Sequence, residues 1–197
     1  MNRFTLASAL ALAGSLLSAP AEAKYTVVTH GGPALAAGGI TVNPAEDWNR
    51  DSRKPIKKGE VWTLDGPSLN ALYFVSGLAA GETLYRDADK KNRPLPKMNG
   101  SMLLTDIPEF FESSARVALN TSLFEVSNVA PVKLGGHDAV RFSYRYAVQG
   151  SSLIRNGVAQ GTLIKGQLYL IDFAAPSLFY YERDAPKAEA IMASARL

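Results

Sequence analysis

Histidine is the side chain that acid–base catalysis and metal binding use most, and this chain has only two. His30 precedes Gly31-Gly32 in a glycine-rich N-terminal stretch, and His137 opens a strand-like run after Gly135-Gly136. Neither sits in an H-x-x-H or H-E-x-x-H spacing, so a helical zinc site of the metalloprotease type is not encoded. No G-x-S-x-G elbow is present to present a nucleophilic serine. The stretch "GGPALAAGG" lacks the Lys-Ser/Thr pair of a phosphate loop. Cysteine is absent altogether, which excludes disulfides, thiol catalysis, thiolate zinc and thiolate-held iron–sulfur clusters. These residues imply no cofactor.

The carboxylates offer more. Asp172 lies in "LYLIDFAAP", a run apolar on both faces, and a carboxylate buried there needs a partner. Arg141 or Arg145 on a neighbouring strand is the partner the sequence suggests. Asp65 lies in "VWTLDGPSLNALYF", where Asp-Gly-Pro-Ser has the composition of a tight turn and Asn70 can tie the corner with its amide. A hydrolase-like enzyme would have to gather Asp65, Asn70, His137 and Asp172 into one cleft. Asp87, Asp89 and Asn92 in "RDADKKN" faintly echo a calcium loop, without its glycine and closing glutamate. Trp48, Trp62, Phe179, Tyr180 and Tyr181 could line a binding groove, although aromatics at strand positions more often belong to the core. With Asp65 and Asn70, the residues Trp48, Trp62, Tyr180 and Tyr181 are the candidate interaction or corner residues.

The elements that position these groups can be read from periodicity. "MNRFTLASALALAGSLLSAPAEA" has a basic start, a short apolar stretch and an A-x-A site at Ala21–Ala23, the pattern of a cleavable secretory signal peptide over residues 1–23. The expected product is an exported, periplasmic or secreted bacterial protein, not a lipoprotein, with no transmembrane segment. Residues 24–197 are expected to form one domain, with 24–38 its less ordered start. Strands are expected at Tyr25–Thr29, Gly39–Val42, Val61–Leu64 and Leu69–Ser76, and a polar surface loop at residues 43–60 with Trp48 tucked in. "TDIPEFFESSARVAL" predicts a helix with Asp106 as N-cap and a buried face of Ile107, Phe110, Phe111, Ala115, Ala118 and Leu119 at three- and four-residue intervals. Four strands follow, around Gly135-Gly136 and Lys165-Gly166. Val140, Phe142, Tyr144, Tyr146 and Val148 alternate with Arg141, Ser143 and Arg145 on opposite faces. A last helix is expected to start at Asp184 as N-cap, with Pro186 in its first turn. This is an α+β chain, an antiparallel sheet sandwiched by a few helices. Its net charge of +3 is too small and scattered to suggest nucleic acid.

The hairpin "VKLGGHDAVRFSYRYAV", the strand ending "LYLIDFAAP", the aromatic "LFYYERD" and the closing "PKAEAIMASARL" resemble, in that order, the PsbP/Mog1-like α/β sandwich superfamily. The early "ITVNPAEDWN" and "TLDG" agree in outline, so the resemblance covers most of residues 39–197, in an uncharacterised exported bacterial branch. It implies a non-catalytic binding or assembly factor that docks on an envelope or secreted protein partner. A carrier of a small apolar ligand is the further alternative, and it would require a sizeable apolar cavity between sheet and helices.

Overall fold

The structure, a computed structural model, describes residues 25–197 apart from Lys54, Pro55, Lys57, Ala88 and Gln149. The signal-peptide reading of residues 1–23 therefore lies outside the described residues. Ten strands and two α-helices follow in chain order: β1 (Tyr25–Val28), β2 (Ala34–Leu35), β3 (Thr41–Val42), β4 (Trp48–Asp51), β5 (Gly59–Thr63), β6 (Ala71–Leu78), α1 (Ile107–Leu119), β7 (Phe124–Leu134), β8 (His137–Ala147), β9 (Ile154–Ile164), β10 (Gln167–Pro176) and α2 (Tyr180–Ala193). The fold is α+β, as the periodicity implied.

Eight strands form one sheet in the order β1-β4-β5-β6-β10-β9-β8-β7, each pair antiparallel, and β2 with β3 forms a separate small hairpin. The short strands of the N-terminal half meander to β6. The chain then crosses through α1 to the far edge and returns by a meander of long strands until β10 seats beside β6. One sheet thus runs through both halves of the chain. Both of its faces are covered. Trp62, Leu72, Phe74, Ile171 and Phe173 face α2 and the β2–β3 hairpin, together with Ile191 and Met192 of α2. Val75, Phe142, Tyr144, Leu168 and Leu170 face α1, whose Ile107, Phe110, Phe111 and Ala115 fill that layer. Alternation along β8 is as read: Val140, Phe142, Tyr144 and Tyr146 are buried toward α1, and Arg141, Ser143 and Arg145 occupy the other face.

Three expectations are corrected. Residues 48–51, read as surface loop, form β4: this polar strand satisfies its backbone between β1 and β5, with Trp48 buried at one end and Asp51 bonded to Arg53 at the other. Asp106 does not cap α1 with its side chain but accepts from the Leu103 N–H (2.9 Å), closing the 3₁₀ turn Leu104–Asp106 before the helix. The last helix starts at Tyr180, so Asp184 lies inside it and Pro186 sits mid-helix. At the N-terminal side β1 is an edge strand and β2 with β3 forms the hairpin, with Ala36 and Ile40 buried.

The long strands meet closely where Tyr144 of β8 lies across from Gly157 of β9. A Cβ on Gly157 would overlap the Tyr144 ring, so the glycine makes room for a tyrosine on the α1 face. Gly157→Ala should therefore displace Tyr144 and destabilise the fold by about 2 kcal/mol, read as a lowered urea midpoint with unchanged m.

Candidate functional site

The Asp-Gly corner between β5 and β6 is built around one amide. Gly66 takes φ +106°, a conformation open to glycine, and its carbonyl accepts from the Leu69 N–H (2.8 Å) and Asn70 N–H (3.1 Å). Asn70 is fully buried. Its Oδ1 accepts from the backbone N–H of Leu64 (2.7 Å) and Asp65 (3.1 Å), and its Nδ2 donates to Asp65 Oδ2 (2.7 Å) and Asp184 Oδ2 (3.0 Å). Thr63 Oγ1 donates to the Asn70 carbonyl (2.7 Å) and accepts from the Gly66 N–H (2.8 Å). Asp65 and Asn70 are thus parts of a turn whose polar groups are spoken for locally.

That turn is joined to the first turns of α2 by charge. Arg183 Nε donates to Asp184 Oδ1 (2.7 Å) and its Nη2 to Asp184 Oδ2 (2.6 Å), a two-pronged pairing, and Nη2 also reaches Asp65 Oδ2. Lys187 pairs with Asp184 (3.3 Å) and with Glu46 (3.1 Å). Burial alone would favour a protonated Asp184, but hydrogen bonds and charges from Arg183 and Lys187 outweigh it and hold the carboxyl below its ordinary range. The guanidinium of Arg183 also lies over the rings of Phe179 and Tyr180, 5.1 Å from each centroid.

Those rings mark the unusual backbone of the region. The Tyr180 N–H bonds to the Leu178 carbonyl (2.9 Å) across Phe179, which has φ 69° and ψ −61°. This is a γ-turn of the strained hand, in a residue with a bulky side chain. It turns Leu178 and Phe179 outward: they are 77% and 64% exposed, while Tyr180 and Tyr181 are half-buried against the α2-side core. Leu153, also exposed, adjoins them, since the Ser177 N–H bonds to the Ile154 carbonyl (2.9 Å). Arg155 beside it donates to the Ser68 carbonyl of the Asp-Gly corner. Corner, γ-turn and β9 entry form one continuous end of the sheet.

The other candidates fall elsewhere. Trp48 and Trp62 are 1% and 0% exposed, so they are core side chains and cannot present a docking surface. Asp172 points to the α1 face of the sheet, where it meets Tyr144 and not Arg141 or Arg145. Those two arginines project from the opposite face and pair with Glu189 and Glu125. His137 lies at the far end of the strands from Asn70, roughly 25 Å along the strand direction at ~3.3 Å per residue. Asp65, Asn70, His137 and Asp172 are therefore not gathered into one cleft. His30 pairs with Asp47 (2.7 Å) on the surface. Asp89 is occupied by the Asn92 amide, and among the described residues no group of three or more His, Asp or Glu is placed to share a metal ion. Grooves of about 560 Å³ (near Arg116, Thr121 and Val148) and about 430 Å³ (near Leu35, Arg50 and Lys58) lie at the periphery rather than between sheet and helices. No helix among the described residues is long and apolar enough to cross a membrane.

No protein-family model matches the chain, and no curated protein does. Among solved structures it is similar to the cyanobacterial PsbP (CyanoP) of Synechocystis sp. PCC 6803, with 13% identity and a TM-score of 0.42 over 88% of this chain and 82% of that one. It is similar as well to LpqN of Mycobacterium tuberculosis, described as involved in cell envelope biogenesis, with 13% identity and a TM-score of 0.38 over 87% and 89% of the two chains. At such identity no site residue carries across.

Sequence reading found the turn and Asn70 but not their partners. Arg183 carries no signal of its own, and Asp184 before Ala-Pro has the signature of a helix N-cap, which masks its part in the corner. The tyrosine that meets Asp172 follows from register and not from alternation alone: Asp172 pairs with Ala159 and Ala159 with Phe142, which puts Asp172 on the face of Phe142, Tyr144 and Tyr146 and off that of Arg141 and Arg145. Asn70→Ala should leave two backbone N–H groups, Asp65 and buried Asp184 short of partners. The expected loss is about 3 kcal/mol in chemical denaturation, whereas Asp65→Asn should cost less than about 1 kcal/mol.

Proposed function

We propose that this chain is a non-catalytic binding or assembly protein of the bacterial envelope or exterior, and that it docks on a protein partner through the junction between β10 and α2. One observation carries the proposal: two consecutive large apolar side chains, Leu178 and Phe179, are held out into solvent by a strained γ-turn. Exposing them costs hydrophobic free energy, and the φ of Phe179 costs conformational energy of order 1–3 kcal/mol. Such expense at a functionless position has no physical reason to be locked in by a buried ion network. An aromatic anchor set on a rigid base is, in contrast, what a protein interface uses as its energetic centre.

The surroundings suit this role. Arg183, which stacks on Phe179 and Tyr180, is itself fixed by Asp65 and Asp184, so the anchor is preorganised and little ordering remains for the moment of binding. Leu153 extends the apolar patch, and Ser68 and Ser177 supply polar groups beside the charged Asp65, Arg155 and Arg183. The complementary partner surface is an apolar pocket for Leu178 and Phe179 with backbone or hydroxyl groups around it. Export rests on the N-terminal signal pattern, which places this surface among envelope and secreted proteins.

Site-specific photo-crosslinking in the native organism tests the proposal. A crosslinking residue at Phe179 or Leu178 should yield one discrete adduct, weakened at least tenfold by substituting the neighbouring residue with Ser. The same residue at Val129, another exposed apolar position, on the β7 edge, should yield none. Adducts of equal yield from both places, or none from Phe179 in a folded and abundant protein, would remove the basis of the docking role.

A further inference from the structure

Asp172 sits near the middle of β10, in the centre of the sheet, and is 4% exposed. Its Oδ1 accepts from the Tyr144 hydroxyl at 2.5 Å. The groups that face it come from each element of that layer. Tyr73 of β6 stands directly across in the strand register, Tyr144 and Tyr146 come from β8, and Tyr85 comes from the connection between β6 and α1. Arg155 of β9 lies alongside Tyr146, and Asp51 of β4, paired with Arg53, lies beyond Tyr73. From α1 the layer receives Ile107, Phe110, Phe111, Ser114 and Ala115, none of which ionises. Among the described residues no Lys, Arg or His forms an ion pair with Asp172. The contrast with Asp184, buried on the other face but gripped by two cations, is complete.

The ring that caps Asp172 is also the ring on which α1 rests. Tyr144 packs 5.1 Å from Phe111 of α1, is stacked 5.1 Å from Phe124, and has Gly157 beneath it. Any change that moves the Tyr144 hydroxyl is therefore felt by the α1 layer. We propose that the Asp172 carboxyl, capped by Tyr144 and walled by Tyr73, Tyr85 and Tyr146, is a proton-operated switch. While protonated it holds α1 and the β6–α1 connection on the sheet, and on ionising it loosens them.

The charge logic gives the direction. Burial raises the Asp172 carboxyl to about 7, with the Tyr144 hydrogen bond opposing. Burial likewise pushes Tyr73, Tyr85 and Tyr144 upward, so these phenols stay neutral across the range in which Asp172 changes charge. In the unfolded chain an Asp loses its proton near ~3.9. The folded state thus holds the proton more tightly, and the resulting stabilisation is full below about pH 4 and lost as the pH rises through about 7. Above that, a bare carboxylate lies against the phenyl rings of the α1 layer, and the cheapest relief is to admit water by loosening α1.

Native-state hydrogen exchange, corrected for the intrinsic rate at each pH, tests the switch. Between pH 5 and pH 8.5 the amides of α1 should lose at least about tenfold protection, the equivalent of one pK unit, while those of α2 on the opposite face change less. Asp172→Asn, uncharged at every pH and still able to accept from Tyr144, should abolish the difference. Tyr144→Phe removes the opposing hydrogen bond and should move the midpoint up, which keeps the test open if the first variant folds poorly. Protection of α1 that does not vary with pH, an equal fall in α2, or an unchanged fall in Asp172→Asn would overturn the proposal.

Discussion

The side chain of Asn70 has no contact with solvent, yet it carries both donor and acceptor groups that must be paired. It pairs them in two directions. Its oxygen closes the turn that sets the β5–β6 register, and its nitrogen reaches Asp184, 114 residues later in the chain. The rest of this end of the molecule depends on that amide. It gives the buried Asp184 carboxylate a neutral donor in addition to Arg183 and Lys187. With Asp184 ionised, Arg183 has a fixed anchor from which to reach Asp65 and stack on Phe179 and Tyr180. The backbone strain at Phe179 is thereby over-determined by interactions that lie outside the γ-turn. A glycine at 179 would adopt this conformation freely, so what the present sequence gains there is an aromatic ring in a place that the backbone alone would give to glycine.

Covering both faces of a large antiparallel sheet leaves few places for a charge, and two of the carboxylates buried in it, Asp172 and Asp184, meet that constraint in opposite ways. On the α2 face Asp184 is kept ionised by cations that reach it from the solvent edge. On the α1 face Asp172 is surrounded by phenols and phenyl rings, and burial there raises its carboxyl to about 7 against the Tyr144 hydrogen bond. The difference comes from position along and across the sheet. Asp184 lies in the first turns of a surface helix, where Arg183 and Lys187 can bury their stems and keep their charged heads at the boundary. Asp172 lies in a central strand with neighbours on both sides, too far from the rim for a long cation to reach.

How much of this was legible in the sequence follows the range of each interaction. Period-two alternation along β8 and period-3.6 spacing along α1 are local, and they predicted the buried faces except at the ends, where Val148 lies past the end of β8 and Ala118 on the last turn of α1, both exposed. The Asp65–Asn70 turn was legible for the same reason, since donor and acceptor lie within six residues. β4 was not, because its pattern is polar and its reason to be a strand is the pairing offered by β1 and β5 on either side. Local signals also mislead where tertiary contacts override them. Asp184 followed by Ala-Pro has the chemistry of a helix cap, but a helix can begin four residues earlier when the buried acid finds cations and an amide. The pairing of Asp172 was misread for a different reason. Charge complementarity pointed to an arginine, while the pleat of β8 turns its arginines to the face that Asp172 does not share.

Placement of the exposed apolar side chains follows from the same architecture. At the sheet edges, β7 carries a bulge between Ser127 and Ala130, with Asn128 at φ 51°, and Pro131 follows; these features discourage another strand from pairing there. The opposite end of the long strands closes in short turns at Gly135-Gly136 and Lys165-Gly166, which offer little surface. The end at which β6 and β9 begin and β10 stops has longer connections, and there Val148, Leu153, Leu178 and Phe179 are exposed together. At that end the buried polar network and the exposed apolar groups share a residue, Arg183. An interface built there inherits its rigidity from the core, because moving Phe179 requires disturbing an ion network in which Asp184 has no water to fall back on.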